Sequence, residues 1–301
     1  LPMPSSCPRK PDLPARARRF GCGLATTLLL SLAALGAPLA SAAPPSTQVA
    51  WVPAAAPADV ERAFARARSE GKPLLLYWGA TWCPPCNQLK ATLFNRQDFA
   101  ALSRSFVAVH VDGDRPGAQK LGQQFKVAGY PTLVLLRPDG REITRLPGEA
   151  EAAQVMELLR LALAGGRPAG EVLQDARTGG RLAAAEWRML AFYSWETDDE
   201  QLLADADAAG VLAELAIAAS ASGSTASADT VARLWLRALA ESDEGKGLKA
   251  DEALRTRVRA LLADAAQSRA LADVIVNGAP AMVRALADTE QERQPWRRVF
   301  E

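Results

Sequence analysis

Apolar runs of strand length alternate with stretches of helical period between Asp59 and Ala164, and after Glu171 only the helical period remains. Val60, Phe64 and Ala67 share one helical face, with Asp59 placed to cap that helix and Gly71 to end it. Leu74 to Trp78 is apolar throughout, as expected of a central strand covered on both faces. Asn87 to Phe94 has helical period, Phe106 to Val111 reads as a strand, and Ala118 to Phe125 as a short helix. Leu133 to Leu136 and Glu142 to Leu146 form a hairpin across the Pro138-Asp139-Gly140 turn. Glu149 to Ala164 closes the region as an amphipathic helix with Val155, Leu158, Leu159 and Ala162 on one side. From Leu74 onward the order is βαβαββα, an α/β region spanning 59–165.

Glycines and a proline over 166–170 predict a linker, and 171–301 predicts an all-α domain. Its candidate helices are Leu182 to Trp195, Glu200 to Ser220, Thr230 to Glu241, Ala250 to Ala266 and Arg269 to Val276. Breaks fall at Thr178-Gly179-Gly180, Ser220 to Ser227 and Asp243 to Gly247. Such a stretch, about 130 residues, can hold its own core, so residues 46–166 are expected to fold alone. Trp187, Trp195, Trp235 and Trp296 fit buried or half-buried positions, with a binding surface as the alternative. For the role of this region the sequence offers only docking of a partner or self-association.

The first 45 residues have the order of a secretory signal: basic residues (Arg9, Lys10, Arg16, Arg18, Arg19), an apolar Leu24 to Leu35, then small residues. Ala40-Ser41-Ala42 fits a cleavage site, so residues 1–42 are expected to be removed and the protein to reside in the periplasm. The apolar core falls short of the roughly 20 residues a spanning helix needs. Residues 43–58, rich in Pro and Ala, read as a mobile leader.

With a formal net charge of +1 over 301 residues, nothing points to nucleic acid. Of the four cysteines, Cys7 and Cys22 lie in the segment expected to be removed. Cys83 and Cys86 remain, with no third thiol to divert exchange between them.

Those two stand in Trp82-Cys83-Pro84-Pro85-Cys86, between the apolar strand and the helical stretch. A cysteine at a helix N-terminus faces unpaired N–H groups and the positive end of the helix dipole. Both favour the thiolate, the nucleophile of disulfide exchange. Cys86, one turn on, can close a small disulfide ring. A pair of this spacing also occurs as half of a zinc site, and one histidine with two cysteines falls short of a closed one.

Together with Gly129-Tyr130-Pro131-Thr132, the hairpin turn and Gly148, the motif resembles the thioredoxin superfamily, in particular its exported thiol:disulfide interchange members. The resemblance covers 59–165 and implies a thioredoxin fold, a central mixed sheet flanked by helices. It implies a thiol:disulfide oxidoreductase in which Cys83 attacks and the less accessible Cys86 resolves, with no cofactor beyond that dithiol. It further implies a cis peptide bond before Pro131, facing the cysteines. Tyr130 would offer its backbone to an extended substrate, and Trp82 would lie beside the disulfide. Implied partners are exported proteins bearing thiols or disulfides and a membrane electron donor. Thioredoxin-like copper chaperones are the alternative, although they resemble a motif with three residues between the cysteines.

Two departures from the family stand out. Its better-known members carry a buried Asp before the motif and a Lys near it. Those positions fall at Leu76 and near Ala108, so both charges are absent together, as one buried charge without its partner would be costly. The proton acceptor for Cys86 is then water, Lys90 or His110. Lys90, one turn after Cys86, either presents its ammonium to it or is solvated. His110, the single histidine, either packs at a strand end near the active-site edge or shuttles protons. Pro84 and Pro85 remove two N–H donors from the thiolate but stiffen the helix start. By analogy with the family, the direction is reductive.

Overall fold

The computed structural model describes residues 48–127, 129–147, 151–195, 198, 202–203, 207–242 and 248–300. The expected signal and its cleavage site, Cys7, Cys22, the first part of the leader, Gly148 and the break at 243–247 lie outside the described residues. No described helix is long and apolar enough to cross a membrane.

Five strands form one mixed sheet in the order β1-β3-β2-β4-β5: β1 (Val52–Ala54), β2 (Leu74–Gly79), β3 (Val107–Asp112), β4 (Thr132–Leu136) and β5 (Glu142–Pro147). β1 and β2 both run parallel to β3, while β4 is antiparallel to β2 and to β5. The fully apolar β2 lies at the centre, and its alternation divides the interior. Leu74, Leu76 and Trp78 join one core with Val60, Ala63 and Ala67 of α1 (Pro57–Glu70), while Leu75 and Tyr77 join the other.

β1 corrects the mobile leader. Val52 to Ala54 pairs with Val109 to Val111, and the Trp51 ring packs 5.6 Å from Tyr77 and 4.9 Å from Phe94. A three-residue strand has no readable period, and Pro53 argues against an interior strand. At the sheet edge its missing N–H is harmless. Helix α1 likewise begins before the expected cap. Pro57 takes the first turn, and Asp59, inside it, accepts the N–H groups of Ala55 and Ala56, both at 2.9 Å. Gly71 ends the helix with φ 63°, as its position predicted.

The cysteine segment enters α2 (Pro84–Leu89), which continues as a π turn over Lys90–Phe94 and is followed by α3 (Gln97–Leu102). Helix α4 (Ala118–Gln124) precedes the hairpin, whose turn holds Gly140 at φ 91°, and α5 (Ala152–Leu163) follows it.

The rest is helical: α6 (Ala169–Arg177), α7 (Ala184–Phe192), α8 (Ala208–Ala221), α9 (Ala228–Ala240), α10 (Glu252–Ala263), α11 (Ala265–Ala270), α12 (Ala272–Leu286) and α13 (Glu290–Phe300). Residues 166–170 are not simply a linker, since α6 already starts at Ala169, which is buried. Nor does the core break there. One apolar cluster runs from Leu75 and Leu133 of the sheet through Leu158 and Leu159 of α5 to Val172, Trp187, Leu212 and Leu234. A third core joins α9 to α10, α12 and α13. Trp187, Trp195 and Trp296 are buried, and Trp235 is partly so. Helix α12 continues ten residues past the expected end through Pro280, a residue that reads as a stop. Its Gly278 allows close packing on α9, where an added Cβ would lie 2.7 Å from the Ala240 Cβ. That contact joins residues far apart in sequence, so local pattern could not reveal it.

Candidate active site

Strand β2 delivers the chain to the cysteines at the C-terminal edge of the sheet. Cys83 caps α2, and the Cys86 N–H donates to its Sγ at 3.2 Å. With proline at the next two positions, this is the first N–H of the helix able to reach that sulfur. Asn87 fastens the turn, its backbone N–H donating to the Cys83 carbonyl at 3.1 Å and its side-chain amide to the Thr81 carbonyl at 3.0 Å. The two cysteines form a disulfide with Cα atoms 5.3 Å apart. Cys83, expected to be exposed, is only 3% accessible, against 0% for Cys86. The difference between them lies in what they face. Cys83 lines an open pocket of about 470 Å³ with Trp82, Pro84, Pro85, Val127, Gly129 and Tyr130. Cys86 is covered by Ala80, Cys83 and Tyr130.

The Tyr130–Pro131 peptide bond is cis. Thr132 secures the turn by donating from Oγ1 to the Gly129 carbonyl at 2.7 Å. The Tyr130 ring lies over Gly113, where an added Cβ would come within 2.5 Å of it, so a side chain there would push the ring aside. Trp82 is 67% exposed, its ring 6.3 Å from that of Tyr130. Its indole N–H nevertheless donates to Asp114 Oδ1 at 2.7 Å, and Thr81 reaches the other carboxylate oxygen through its N–H and hydroxyl. The Asp112-Gly113-Asp114 turn therefore holds both aromatic walls of the pocket, a role the sequence reading missed. The signal lay in two carboxylates flanking a glycine directly after a strand parallel to β2. Burial, and then the charges of Asp114 and Asp112, push the Tyr130 phenol up from its ordinary value.

His110 pairs with Tyr77 across the sheet, and their rings stack at 4.9 Å. Burial and then the Lys90 ammonium lower the His110 pKa, so the imidazole is neutral at neutral pH. Lys90 and His110 are thus neighbours. The Lys90 backbone N–H donates to the Cys86 carbonyl within the helix, but among the described residues no side-chain hydrogen bond joins Lys90 or His110 to the Cys86 sulfur. The positions inferred for the missing Asp and Lys need correction. Leu76 points into the core beneath α1, whereas Ala108 belongs to the opposite face. Side chains two apart share a face, so the residue on Ala108's side beside the motif is Tyr77. Its hydroxyl is buried without a hydrogen-bond partner and its pKa is pushed up to about 12 by burial, so it stays protonated. Among the described residues no group of three or more His, Cys, Asp or Glu is placed to hold a metal ion.

Residues 60–163 match the family of the thioredoxin-like domain. The chain is 32% identical over 129 residues to the thiol:disulfide interchange protein DsbD 1 of Pseudomonas aeruginosa, covering 42% of this chain and 22% of that protein. It is 32% identical over 90 residues to the thioredoxin-like protein slr0233 of Synechocystis, covering 30% of this chain and 81% of that protein. A thioredoxin of known structure from Thermus thermophilus is 30% identical, covering 36% of this chain and 83% of its own, with a TM-score of 0.33. The chain thus spans about a fifth of the length of the DsbD protein it matches.

Proposed function

This chain belongs to the thioredoxin superfamily, and from that premise we propose that it is a periplasmic thiol:disulfide oxidoreductase reducing or exchanging disulfides of exported proteins through Cys83 and Cys86. The observation that carries the reading is the asymmetric placement of the pair. Cys83 opens into a pocket walled by Trp82 and Tyr130, and Cys86 is sealed behind it. In the reduced protein the Cys83 thiolate attacks one sulfur of a substrate disulfide. The substrate S–S bond breaks, and its second sulfur leaves as a thiolate that takes a proton from water. Deprotonated Cys86 then attacks the Cys83 sulfur, re-forming the internal disulfide and expelling the other substrate thiolate. Two electrons pass to the substrate, and the reverse sequence oxidises a dithiol.

Tyr130 and Pro131 receive an extended substrate segment, Trp82 flanks it, and Pro84 and Pro85 stiffen the attacking end. Lys90 and His110 support the site electrostatically beneath α2. The dithiol is restored by a two-electron thiol donor, which we assign to a membrane carrier. Incubation with insulin and dithiothreitol tests the reading: accelerated precipitation of the insulin B chain is expected. No acceleration, together with tight copper(I) binding, would favour a metal carrier instead.

A further inference from the structure

We infer that the helical region is part of the redox site, holding one wall of the Cys83 pocket through Arg145, the positioning residue to which Tyr193 and Ser194 are tied, and through Asp198, which bridges Val127 directly. Arg145 lies on β5 and is 0% exposed. Its guanidinium donates to the carbonyls of Phe125 at 2.8 Å and Lys126 at 2.6 Å, where α4 ends. There the chain turns through Lys126 at φ 52°, a left-handed conformation unfavourable for a residue with a side chain. Val127, Gly129 and Tyr130, which line the pocket, follow directly.

The guanidinium also binds Glu142 of the same strand, and through Glu142 it is tied to the helical region. Glu142 receives two of its bonds, at 3.1 and 3.0 Å, and also accepts the Tyr193 hydroxyl at 2.8 Å. The Ser194 N–H donates to the Arg145 carbonyl at 2.9 Å. Asp198 forms an antiparallel bridge with Val127 itself, is 4% exposed, and accepts the Leu202 N–H at 2.9 Å. A buried charged network of this kind is weak evidence for stability, since apolar residues of similar volume often serve as well or better. What it supplies is geometry. The donors of one fixed fork connect the strained turn before Val127, by way of Glu142, to Tyr193, while the Ser194 N–H holds the Arg145 backbone and the Asp198 bridge grips Val127 directly. The inference rests on the oxidoreductase reading, in which an extended substrate lies along Tyr130. A small disulfide needs only the cysteines, whereas a protein disulfide needs this wall in place.

The test compares the full chain with Tyr193→Phe, which removes one hydroxyl, and Arg145→Lys, which keeps the charge but loses the fork. Tyr193→Phe guards against failure of the arginine variant to fold. Amide hydrogen exchange is measured together with KM and kcat on insulin and on 5,5′-dithiobis(2-nitrobenzoate). Loss of one such hydrogen bond predicts about fivefold faster exchange at Val127 and Tyr130 and about fivefold higher KM for insulin. The insulin kcat, the rate on the small disulfide and exchange in α1 should be unchanged. Exchange at Val127 and Tyr130 equal to the parent, or rates on both substrates falling in proportion, would overturn the inference. If the parent reduces neither disulfide, the oxidoreductase reading fails, and the exchange data alone decide the coupling.

Discussion

Cutting the chain after Gly166 removes every helix from α6 onward and tests whether the redox region stands alone. Strand β5 packs against α6 and α7, and α7 against α5. The cut uncovers apolar surface on Ile143 and Leu146 of β5 and on the α5 face that includes Leu158 and Leu159. A large apolar side chain contributes about 1.5–3 kcal/mol when fully buried. Four uncovered by half come to about 3–6 kcal/mol. The Arg145–Glu142 pair also loses the Tyr193 hydroxyl and the Ser194 N–H, adding about 1–3 kcal/mol. The combined loss of about 4–9 kcal/mol is a large part of the 5–15 kcal/mol typical of a domain. At roughly 4–8 °C per kcal/mol for a domain of this size, the melting temperature should fall by at least about 15 °C. Circular dichroism melts of 48–166 and 48–301, with recovery in the soluble fraction, measure this. A soluble fragment melting within about 5 °C of the longer chain would refute the shared-core argument and restore the independent unit read from the sequence.

Asp114→Ala frees the Trp82 indole, and a charge-assisted bond at an exposed site of about 1 kcal/mol predicts roughly fivefold lower kcat/KM on insulin. Unchanged kcat/KM would remove Trp82 from substrate contact. His110 gives a pH signature, because its folded pKa lies below the ordinary value of 6.5. As pH falls through about 6.5 the unfolded chain binds a proton that the folded one refuses, so stability decreases and levels off below the folded pKa. Urea midpoints at pH 7.5 and 5.5 should fall more in the parent than in His110→Gln, and equal slopes would contradict the burial argument.

How much was legible in the sequence depended on how local each signal was. Leu74 to Trp78, the hairpin turn at Gly140 and the cysteine motif were readable because period, turn chemistry and spacing are properties of neighbouring residues. Pro131 was readable only through family resemblance. β1 was missed because three residues at a sheet edge carry no period, and α13 because Pro295 interrupts its helical pattern. Arg145 could not be found, since an arginine at a strand position reads as solvated until Phe125, Lys126 and Glu142 are brought around it by the fold. The continuous core was hidden for a related reason: Gly165, Gly166 and Pro168 mark a change of element, and only the contacts of α6 and α7 show that the interior passes beneath it.

Division of labour between the two cysteines is the central claim, and Cys86→Ser tests it most directly. Expressed in the periplasm, this variant should attack substrates through Cys83 and fail to release them, so that mixed disulfides accumulate on non-reducing gels. Cys83→Ser should trap none, because a serine hydroxyl is far too weakly acidic to replace the thiolate. Trapping by Cys83→Ser instead, or by neither variant, would contradict the account.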